Sequence, residues 1–291
     1  MVDQRGIGSV APRLPLWAAV TLLAALAAAA GRAATGQEGV DDRQARSEEM
    51  GRIVGSFVPA RGEDVGGRPV ALRAEPLLRW HDPTRMFSDA SLWAWGAPGR
   101  PAALLALELY PHSEAGADFV PSWAYEFISL DDGPLRVRGE GGRTRWAPGR
   151  PGVTFRDVPG APGPADSAVG RQAQMGELVK RFTSAEHPGG DVTLRLMPRR
   201  ICRYSDPAAG QLDGAVYVFA TGTNPEVLVL LEAQGRGSEG PTWRYAVARV
   251  TAAPYEVFFD RREVWREGYA GRQKDPGEPY FTERLPRKVA G

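Results

Sequence analysis

Two kinds of hydrophobic spacing alternate along the chain. Apolar residues recur at the helical spacing i, i+3, i+4 and i+7 from Met50 to Phe57 and from Met175 to Phe182, which predicts two amphipathic helices. Short apolar runs bounded by Gly, Pro and Asp follow each helix, and such runs are typical of antiparallel meanders. The predicted strands are 70–73, 91–95, 102–109, 123–130 and 134–138, then 192–196, 215–220, 226–233, 243–250 and 255–259.

The second half of this pattern repeats the first. Residues 79–108 align without a gap on 203–232 at a constant offset of 124, and a second block that begins at Pro121 aligns at an offset of 120. Two ordered blocks indicate an internal repeat rather than coincidence. The identical positions of the first block are Arg79, Asp82, Pro83, Asp89, Pro101, Leu104, Leu107 and Glu108, which match Arg203, Asp206, Pro207, Asp213, Pro225, Leu228, Leu231 and Glu232.

These patterns predict an α+β fold that is a tandem duplication of a helix plus an antiparallel β-meander. We expect the two copies to be related by a pseudo-twofold axis. The expected boundaries are 41–146 for the first unit, 147–166 for a Pro- and Gly-rich linker and 167–266 for the second unit. The remaining residues, 267–291, form a polar tail that we expect to be disordered or loosely attached.

The amino-terminal segment has the layout of a secretory signal peptide. Arg5 and Arg13 precede an uncharged, Ala- and Leu-rich run over residues 14–30, which ends in small residues. We therefore expect residues 1–33 to be removed and the protein to be exported to the periplasm, the cell envelope or the medium. A membrane span needs about 20 residues, so this shorter run predicts no span after cleavage; an uncleaved amino-terminal anchor is the alternative.

Composition excludes several classes of function. The formal net charge is +1, and Asp3, Arg5 and Arg13 account for it, so the mature chain lacks the basic field that nucleic-acid binding requires. Cys202 is the single cysteine, which excludes an intramolecular disulfide. The three histidines lack metal-ligand spacing, and no nucleotide-binding or hydrolase motif is present. We expect no cofactor and no metal.

The sharpest local motif is Arg-aromatic-x-Asp-Pro, which begins at Arg79 and again at Arg203. An arginine beside an aromatic face suits a carboxylate, phosphate or sugar ligand. The structural interpretation, which we favour, is that Asp82 and Asp206 start turns while each arginine pairs with an acidic neighbour across the sheet.

Glu108 and Glu232 form the second candidate feature, because each carboxylate ends a strongly apolar run. A lone buried carboxylate is costly, so we expect Glu108 to pair with Arg79 and Glu232 to pair with Arg203. A catalytic role for these carboxylates is the alternative. The sequence names no catalytic residue, and the candidate binding residues are Arg79, Asp82, Glu108, Arg203, Asp206 and Glu232.

The stretch 79–102, the Trp-Ala-Tyr-Glu-Phe block at 123–127 and the signal-like start resemble uncharacterised exported proteins that planctomycete-type bacteria carry in several versions. This resemblance implies no known activity. The sequence favours an exported, non-enzymatic protein that binds a small molecule, glycan or protein, or serves the cell envelope, through a cleft between related halves. The alternative is a hydrolase-like enzyme with a carboxylate-based site near the junction of the repeats. It requires Glu108 and Glu232 to open into one cleft without arginine partners.

Overall fold

The computed structural model describes residues 42–62, 67–82, 84, 87–110, 121–235, 240–270 and 275–287. The chain divides into two compact units, Met1–Arg52 and Ile53–Gly291. The described residues of the first unit, 42–52, are helical, and so are residues 53–55 of the second; these helical residues are labelled α1. A further helix, α2, spans Ala168–Val179 and begins at the N-cap Ser167.

Every ladder between the described strands is antiparallel, and two of the sheets belong mainly to the first half of the chain. A four-stranded sheet has the order β2-β1-β7-β8, and a five-stranded sheet has the order β18-β6-β5-β4-β3. The strands of the first are β1 Val58–Arg61, β2 Arg68–Pro69, β7 Leu135–Arg138 and β8 Thr144–Trp146. Those of the second are β3 Leu78–Asp82, β4 Phe87–Trp95, β5 Ala103–Tyr110, β6 Ser122–Ser129 and β18 Tyr280–Pro286.

A nine-stranded sheet is formed by the second half of the chain. Its order is β17-β16-β10-β11-β13-β14-β15-β9, and β12 pairs with β13 beside this path. Its strands are β9 Arg156–Asp157, β10 Phe182–Glu186, β11 Val192–Leu196, β12 Cys202–Asp206, β13 Gln211–Thr221, β14 Asn224–Gly235, β15 Pro241–Arg249, β16 Tyr255–Phe259 and β17 Arg262–Glu267. The fold is therefore α+β, with antiparallel sheet as its main component.

One apolar core lies between the five-stranded and nine-stranded sheets, and a second lies between the nine-stranded sheet and α2. The central strands β5 and β14 are buried on both faces, which explains why their sequences are continuous apolar runs rather than alternating ones. The first core includes Trp80, Leu92, Leu104 and Ile128 from one sheet and Tyr204, Val216, Leu228 and Ala246 from the other.

The meanders β3–β6 and β12–β15 have equivalent strand registers. Each pairing in the first meander has a counterpart in the second, at an offset of 124 residues for β3, β4 and β5 and of 120 residues for β6. Both meanders have a bulge one residue after the aromatic position of the Arg-aromatic motif. Leu78 pairs with Leu92 as Cys202 pairs with Val216, and Ala90 pairs with Glu108 as Gly214 pairs with Glu232. Equivalent registers place equivalent side chains on equivalent faces.

Two expectations for the connecting segments are wrong. The carboxyl-terminal tail is not loosely attached throughout, because β18 pairs along its length with β6 and buries Tyr280 and Phe281. The segment 147–166 is more than a linker, because β9 pairs with β15 and Val153 and Val158 are buried. Both segments therefore belong to the packed structure.

The expected signal peptide, residues 1–33, lies outside the described residues. Within the part of the chain that the structure describes, no helix combines the length and the apolar character needed to cross a membrane.

Candidate functional site

The two motif arginines make matching ion pairs, but not with the expected partners. Arg79 donates through Nε and Nη2 to Asp89 at 2.9 and 2.7 Å, and Arg203 makes the same two contacts with Asp213 at 2.9 and 2.7 Å. Arg203 also contacts α2, because it donates a hydrogen bond to the side chain of Gln172 in that helix. The expected pairing of Arg203 with Glu232 is wrong, and the principal partner of Arg79 is Asp89 rather than Glu108.

Strand register explains this error. Residues that lie opposite each other in a ladder point to the same face, and neighbours along a strand point to opposite faces. Arg203 lies opposite Ala215, whereas Glu232 lies opposite Gly214. The arginine therefore points to the face of the sheet that packs against α2, and the glutamate points to the face between the two sheets. The same registers separate Arg79 from Glu108.

Asp82 and Asp206 accept hydrogen bonds within turns. The Asp82 carboxylate accepts from the backbone N–H and hydroxyl of Thr84 at 3.0 and 2.5 Å. Asp206 accepts from the backbone N–H of Ala209 at 3.3 Å and caps a short 3-10 helix. These are the local contacts that Asp in an Asp-Pro turn ordinarily makes.

Glu232 is fully buried and forms a polar cluster between the sheets. Its carboxylate accepts from Arg100 Nη1 at 3.1 Å, from the Tyr204 hydroxyl at 2.8 Å and from Gln234 Nε2 at 2.5 Å. Burial raises the pKa of Tyr204 well above its usual value, and the Glu232 charge adds to that rise. Burial opposes the charge on Arg100, but the neighbouring Glu232 carboxylate raises its pKa overall.

Glu108 occupies the equivalent place in the first meander with different neighbours. Its carboxylate accepts from the Tyr110 hydroxyl at 3.0 Å, and Tyr110 corresponds to Gln234 at the 124-residue offset. Burial and then the Glu108 charge raise the pKa of Tyr110. Since Glu232 is enclosed and bonded to Arg100, the two glutamates do not meet the condition of the hydrolase alternative.

A cleft of about 110 Å³ lies elsewhere, at one end of the core between the two large sheets. Ile128 and Ser129 at the end of β6 form one wall, and Arg249 at the end of β15 forms another. Residues 150–154 cross its edge, and Gly152 approaches Ser129 so closely that a Cβ atom would overlap the Ser129 backbone. Strand ends from both halves of the chain therefore shape the cleft.

The half-buried guanidinium of Arg249 is the main cationic feature inside the cleft. It lies 5.3 Å from the ring centroid of Tyr255 and 5.8 Å from that of Tyr280, and its Nη2 donates to the Gly268 carbonyl at 2.6 Å. Both rings are almost completely buried. Burial raises the pKa of Tyr255, and the charge of Arg249 opposes that rise. These contacts fix the plane of the guanidinium.

Two N–H groups of cleft residues lack an acceptor. Arg249 Nε and Trp265 Nε1 are buried, and neither has a hydrogen-bond partner within the described ranges. The Tyr255 hydroxyl is close to both side chains, but neither N–H meets it in hydrogen-bonding geometry. The side chain of Glu267, also in the wall, has no hydrogen bond or ion pair to any described residue. The cleft therefore presents donors and an acceptor that the fold does not use.

Sequence reasoning missed this site, although the repeat contained a signal for it. At the 120-residue offset Arg249 corresponds to Ser129, and both residues line the cleft. The aligned blocks therefore differ in charge at a position that lines the cleft in both.

No group of three or more His, Cys, Asp or Glu side chains is placed to hold a metal ion among the residues that the structure describes. Comparisons with protein-family models, with curated proteins and with solved structures found no match to this chain.

Proposed function

We propose that this chain is an exported, non-enzymatic binding protein, built by tandem duplication, that holds a small-molecule ligand in the cleft beside Arg249. The observation that supports this best is that strand ends from both halves converge on a cleft whose wall holds hydrogen-bonding groups without partners in hydrogen-bonding geometry among the described residues. Convergent polar groups that fix the orientation of a ligand are a usual feature of ligand sites.

The duplication is supported by the strand registers outside the two meanders as well as within them. Pro59 pairs with Val137 in the ladder of β1 and β7, and Ser184 pairs with Val257 in that of β10 and β16. The isolated bridge between Leu72 and Trp95 matches the pairing of Leu196 with Phe219. Matching at this many ladders favours descent of both halves from one unit, with a pseudo-twofold axis between them.

Reciprocal contacts between the halves also favour a pseudo-twofold arrangement. Arg100, in the β4–β5 connection, reaches the cluster of Tyr204 and Glu232 in the other sheet. Asn224, which corresponds to Arg100 at the 124-residue offset, accepts a 2.9 Å hydrogen bond from Trp80 Nε1. Trp80 corresponds to Tyr204, so Asn224 bonds to the aromatic motif residue of the opposite half and Arg100 bonds to the carboxylate that accepts from the other one.

A ligand screen by thermal shift tests the binding function. Small acids, amines and sugars are added to the mature protein and to Thr154→Trp, which adds bulk at an exposed position of the cleft wall. We expect at least one class to raise the Tm of the native protein and not that of Thr154→Trp. Thr193→Trp, at an exposed strand position away from the cleft, is the matched control and retains the shift.

Mass spectrometry of the hits after long incubation separates binding from catalysis. A binding protein returns each ligand unchanged, whereas conversion of a hit to product would support the hydrolase alternative. The proposal fails if no compound shifts the native protein, or if Thr154→Trp responds as the native protein does.

Export is proposed on the basis of the amino-terminal sequence alone. Removal of the basic and apolar segment would leave a mature chain that begins near Gly31 or Ala34, because small residues precede both positions. Amino-terminal sequencing of exported material tests this. Recovery of an intact Met1 in the membrane fraction would instead indicate an anchor.

A further inference from the structure

We propose that the cleft recognises a small carboxylate that also carries a hydrogen-bond donor, the chemistry shared by amino acids and hydroxy acids. This inference rests on the proposed binding function and adds the chemical class of the ligand. In the proposed site, Arg249 and Trp265 bind the carboxylate, and Glu267 accepts from the ammonium or hydroxyl group.

The first argument concerns the charge of Arg249. Some other partly buried arginines of the chain pair with carboxylates, as Arg79 does with Asp89 and Arg203 with Asp213, whereas Arg73 donates to the backbone carbonyls of Gly96 and Gly99. Arg249 is half-buried, yet it contacts a backbone carbonyl, two aromatic rings and the Tyr255 hydroxyl rather than a carboxylate. No carboxylate of the described ranges forms an ion pair with it. A partly desolvated cation without a counter-ion favours an anionic ligand.

The second argument concerns the number and kind of free donors. Arg249 Nε and Trp265 Nε1 are two buried N–H groups in the wall of one small cleft; the Tyr255 hydroxyl lies near both side chains, but neither N–H has an acceptor in hydrogen-bonding geometry in the part of the chain that is described. Leaving a buried donor unsatisfied is costly. A carboxylate can accept from both groups with separate oxygens and brings a negative charge that complements Arg249, whereas the single oxygen of an alcohol brings no charge.

The third argument concerns Glu267, which makes the site selective. Its side chain is half-buried in the cleft wall and bonds to no described residue. A plain carboxylate ligand would meet repulsion from this group, whereas a ligand with a neighbouring ammonium or hydroxyl group would donate to it. The rim carries no net charge of its own, because Arg150 pairs with Glu278 at 2.8 Å.

The cleft volume of about 110 Å³ restricts the part of the ligand that is enclosed to a few heavy atoms. Glycine and glycolate are therefore suitable probes, with acetate as the plain carboxylate and glycine methyl ester as the probe without negative charge. We expect glycine or glycolate to bind at least about tenfold more tightly than acetate, and the ester not to bind. Which of the two binds more tightly distinguishes amino acids from hydroxy acids.

Isothermal titration of three variants assigns the roles. Trp265→Phe removes the indole N–H and keeps an aromatic ring, and it weakens binding of the preferred probe about tenfold to hundredfold, the range of a hydrogen bond to a charged group. Its matched control is Trp243→Phe, because Trp243 Nε1 is also buried without a described partner but lies in the core beside α2. That control binds as the native protein does. Glu267→Gln reduces the preference for the probe over acetate.

Arg249→Lys keeps the charge but loses the fixed fork of donors, and it weakens the preferred probe by at least about tenfold. Equal binding of glycine and its methyl ester, or unchanged binding by Trp265→Phe, would overturn the proposal. If no acid binds while other compounds of the thermal-shift screen bind in a Thr154→Trp-sensitive manner, the ligand class is wrong and the binding function stands. If nothing binds, both proposals fail.

Discussion

At the scale of single residues, the cluster around Glu232 shows how two sheets tolerate charges between them. Glu232 is completely buried, and Arg100 is 7% exposed. A buried ion pair ordinarily contributes little net stability, because desolvation offsets the attraction, but removal of one partner leaves the other charge without compensation. Tyr204 and Gln234 supply the additional hydrogen bonds that such a pair requires. The cluster therefore makes the contact between the sheets specific.

Glu232→Ala tests this assignment. Loss of the carboxylate leaves Arg100 and the Tyr204 hydroxyl buried without it, and we expect the free energy of unfolding to fall by about 3–5 kcal/mol in a denaturant series. The control is Asp132→Asn, because Asp132 is the second partner of Arg100 but is 68% exposed, and its loss costs less than about 1 kcal/mol. Equal effects of the two substitutions would contradict a structural role for Glu232.

Gly214 permits the position of Tyr204. A Cβ atom at residue 214 would lie 2.5 Å from Cε2 of the Tyr204 ring, so Gly214→Ala displaces the ring from Glu232. We expect a loss of about 1–3 kcal/mol by chemical denaturation. Gly176 lies inside α2 with open space beside it, and Gly176→Ala should increase stability by about 0.5–1 kcal/mol. If Gly214→Ala leaves the free energy of unfolding unchanged, the Tyr204 ring does not lie against residue 214 as described.

Residue identities alone could not assign the ion-pair partner of Arg203. The sequence indicated that Arg203 has an acidic partner across the sheet, and Asp213 was already visible as an aligned position. The choice between Asp213 and Glu232 depends on which face each side chain occupies. That depends on the register of β12 on β13, in which Arg203 lies opposite Ala215.

At the scale of elements, α2 depends on its amino-terminal cap. The Ser167 Oγ accepts from the Gly170 N–H at 3.0 Å, which satisfies one of the free donors of the first turn. Ser167→Ala should lower the free energy of unfolding by about 1 kcal/mol. Ser205→Ala, at an exposed position of β12, serves as the control and should change stability by less than about 0.5 kcal/mol. Equal denaturation midpoints for the two variants would show that the cap contributes nothing.

Elements with strong apolar periodicity were predictable, and elements defined by their neighbours were not. The predicted strands 192–196 and 255–259 coincide with β11 and β16. By contrast, β10 begins at Phe182, which the helical spacing assigned to the end of a helix. The polar strand β18 lay in an expected loose tail, and its pairing depends on the edge that β6 offers. Its sequence carries no apolar alternation that would reveal this.

At the scale of the whole molecule, buried tyrosines limit stability at alkaline pH. Burial raises the pKa of Tyr204, Tyr255 and Tyr280 in the folded chain, and nearby carboxylates raise it further at Tyr204 and Tyr280. An unfolded tyrosine ionises near pH ~10. Because the folded pKa values are higher, these groups contribute stability that is fully present below about pH 10 and is lost as the pH rises above it.

We therefore expect the denaturant midpoint to fall from about pH 10 upward, with tyrosinate absorbance of the three residues appearing only as the chain unfolds. Tyr204→Phe should make the denaturant midpoint fall less steeply with pH in the alkaline range. Tyr269→Phe, at a position 68% exposed, should leave the slope unchanged. Ionisation of all tyrosines in the still-folded protein would show that the three rings are accessible to solvent.

The repeat in the sequence predicted two related units but not how they meet. Complementary apolar faces on the two meanders are visible only once the register assigns Trp80 and Tyr204 to the same core. The cleft then arises where the strand ends diverge beyond this core, and its key position is one at which the halves differ, Ser129 against Arg249. Alignment of the halves directs attention to what they share, so a site built on their difference was missed.

The most direct test of the account is a crystal structure of the mature chain soaked with glycine and, separately, with glycolate. We expect the ligand carboxylate within hydrogen-bonding distance of Arg249 Nε and Trp265 Nε1, with the ammonium or hydroxyl group directed at Glu267. The two meanders should enclose the cleft from both sides. A ligand bound elsewhere, or an Arg249 side chain paired with a carboxylate of the protein itself, would contradict the account.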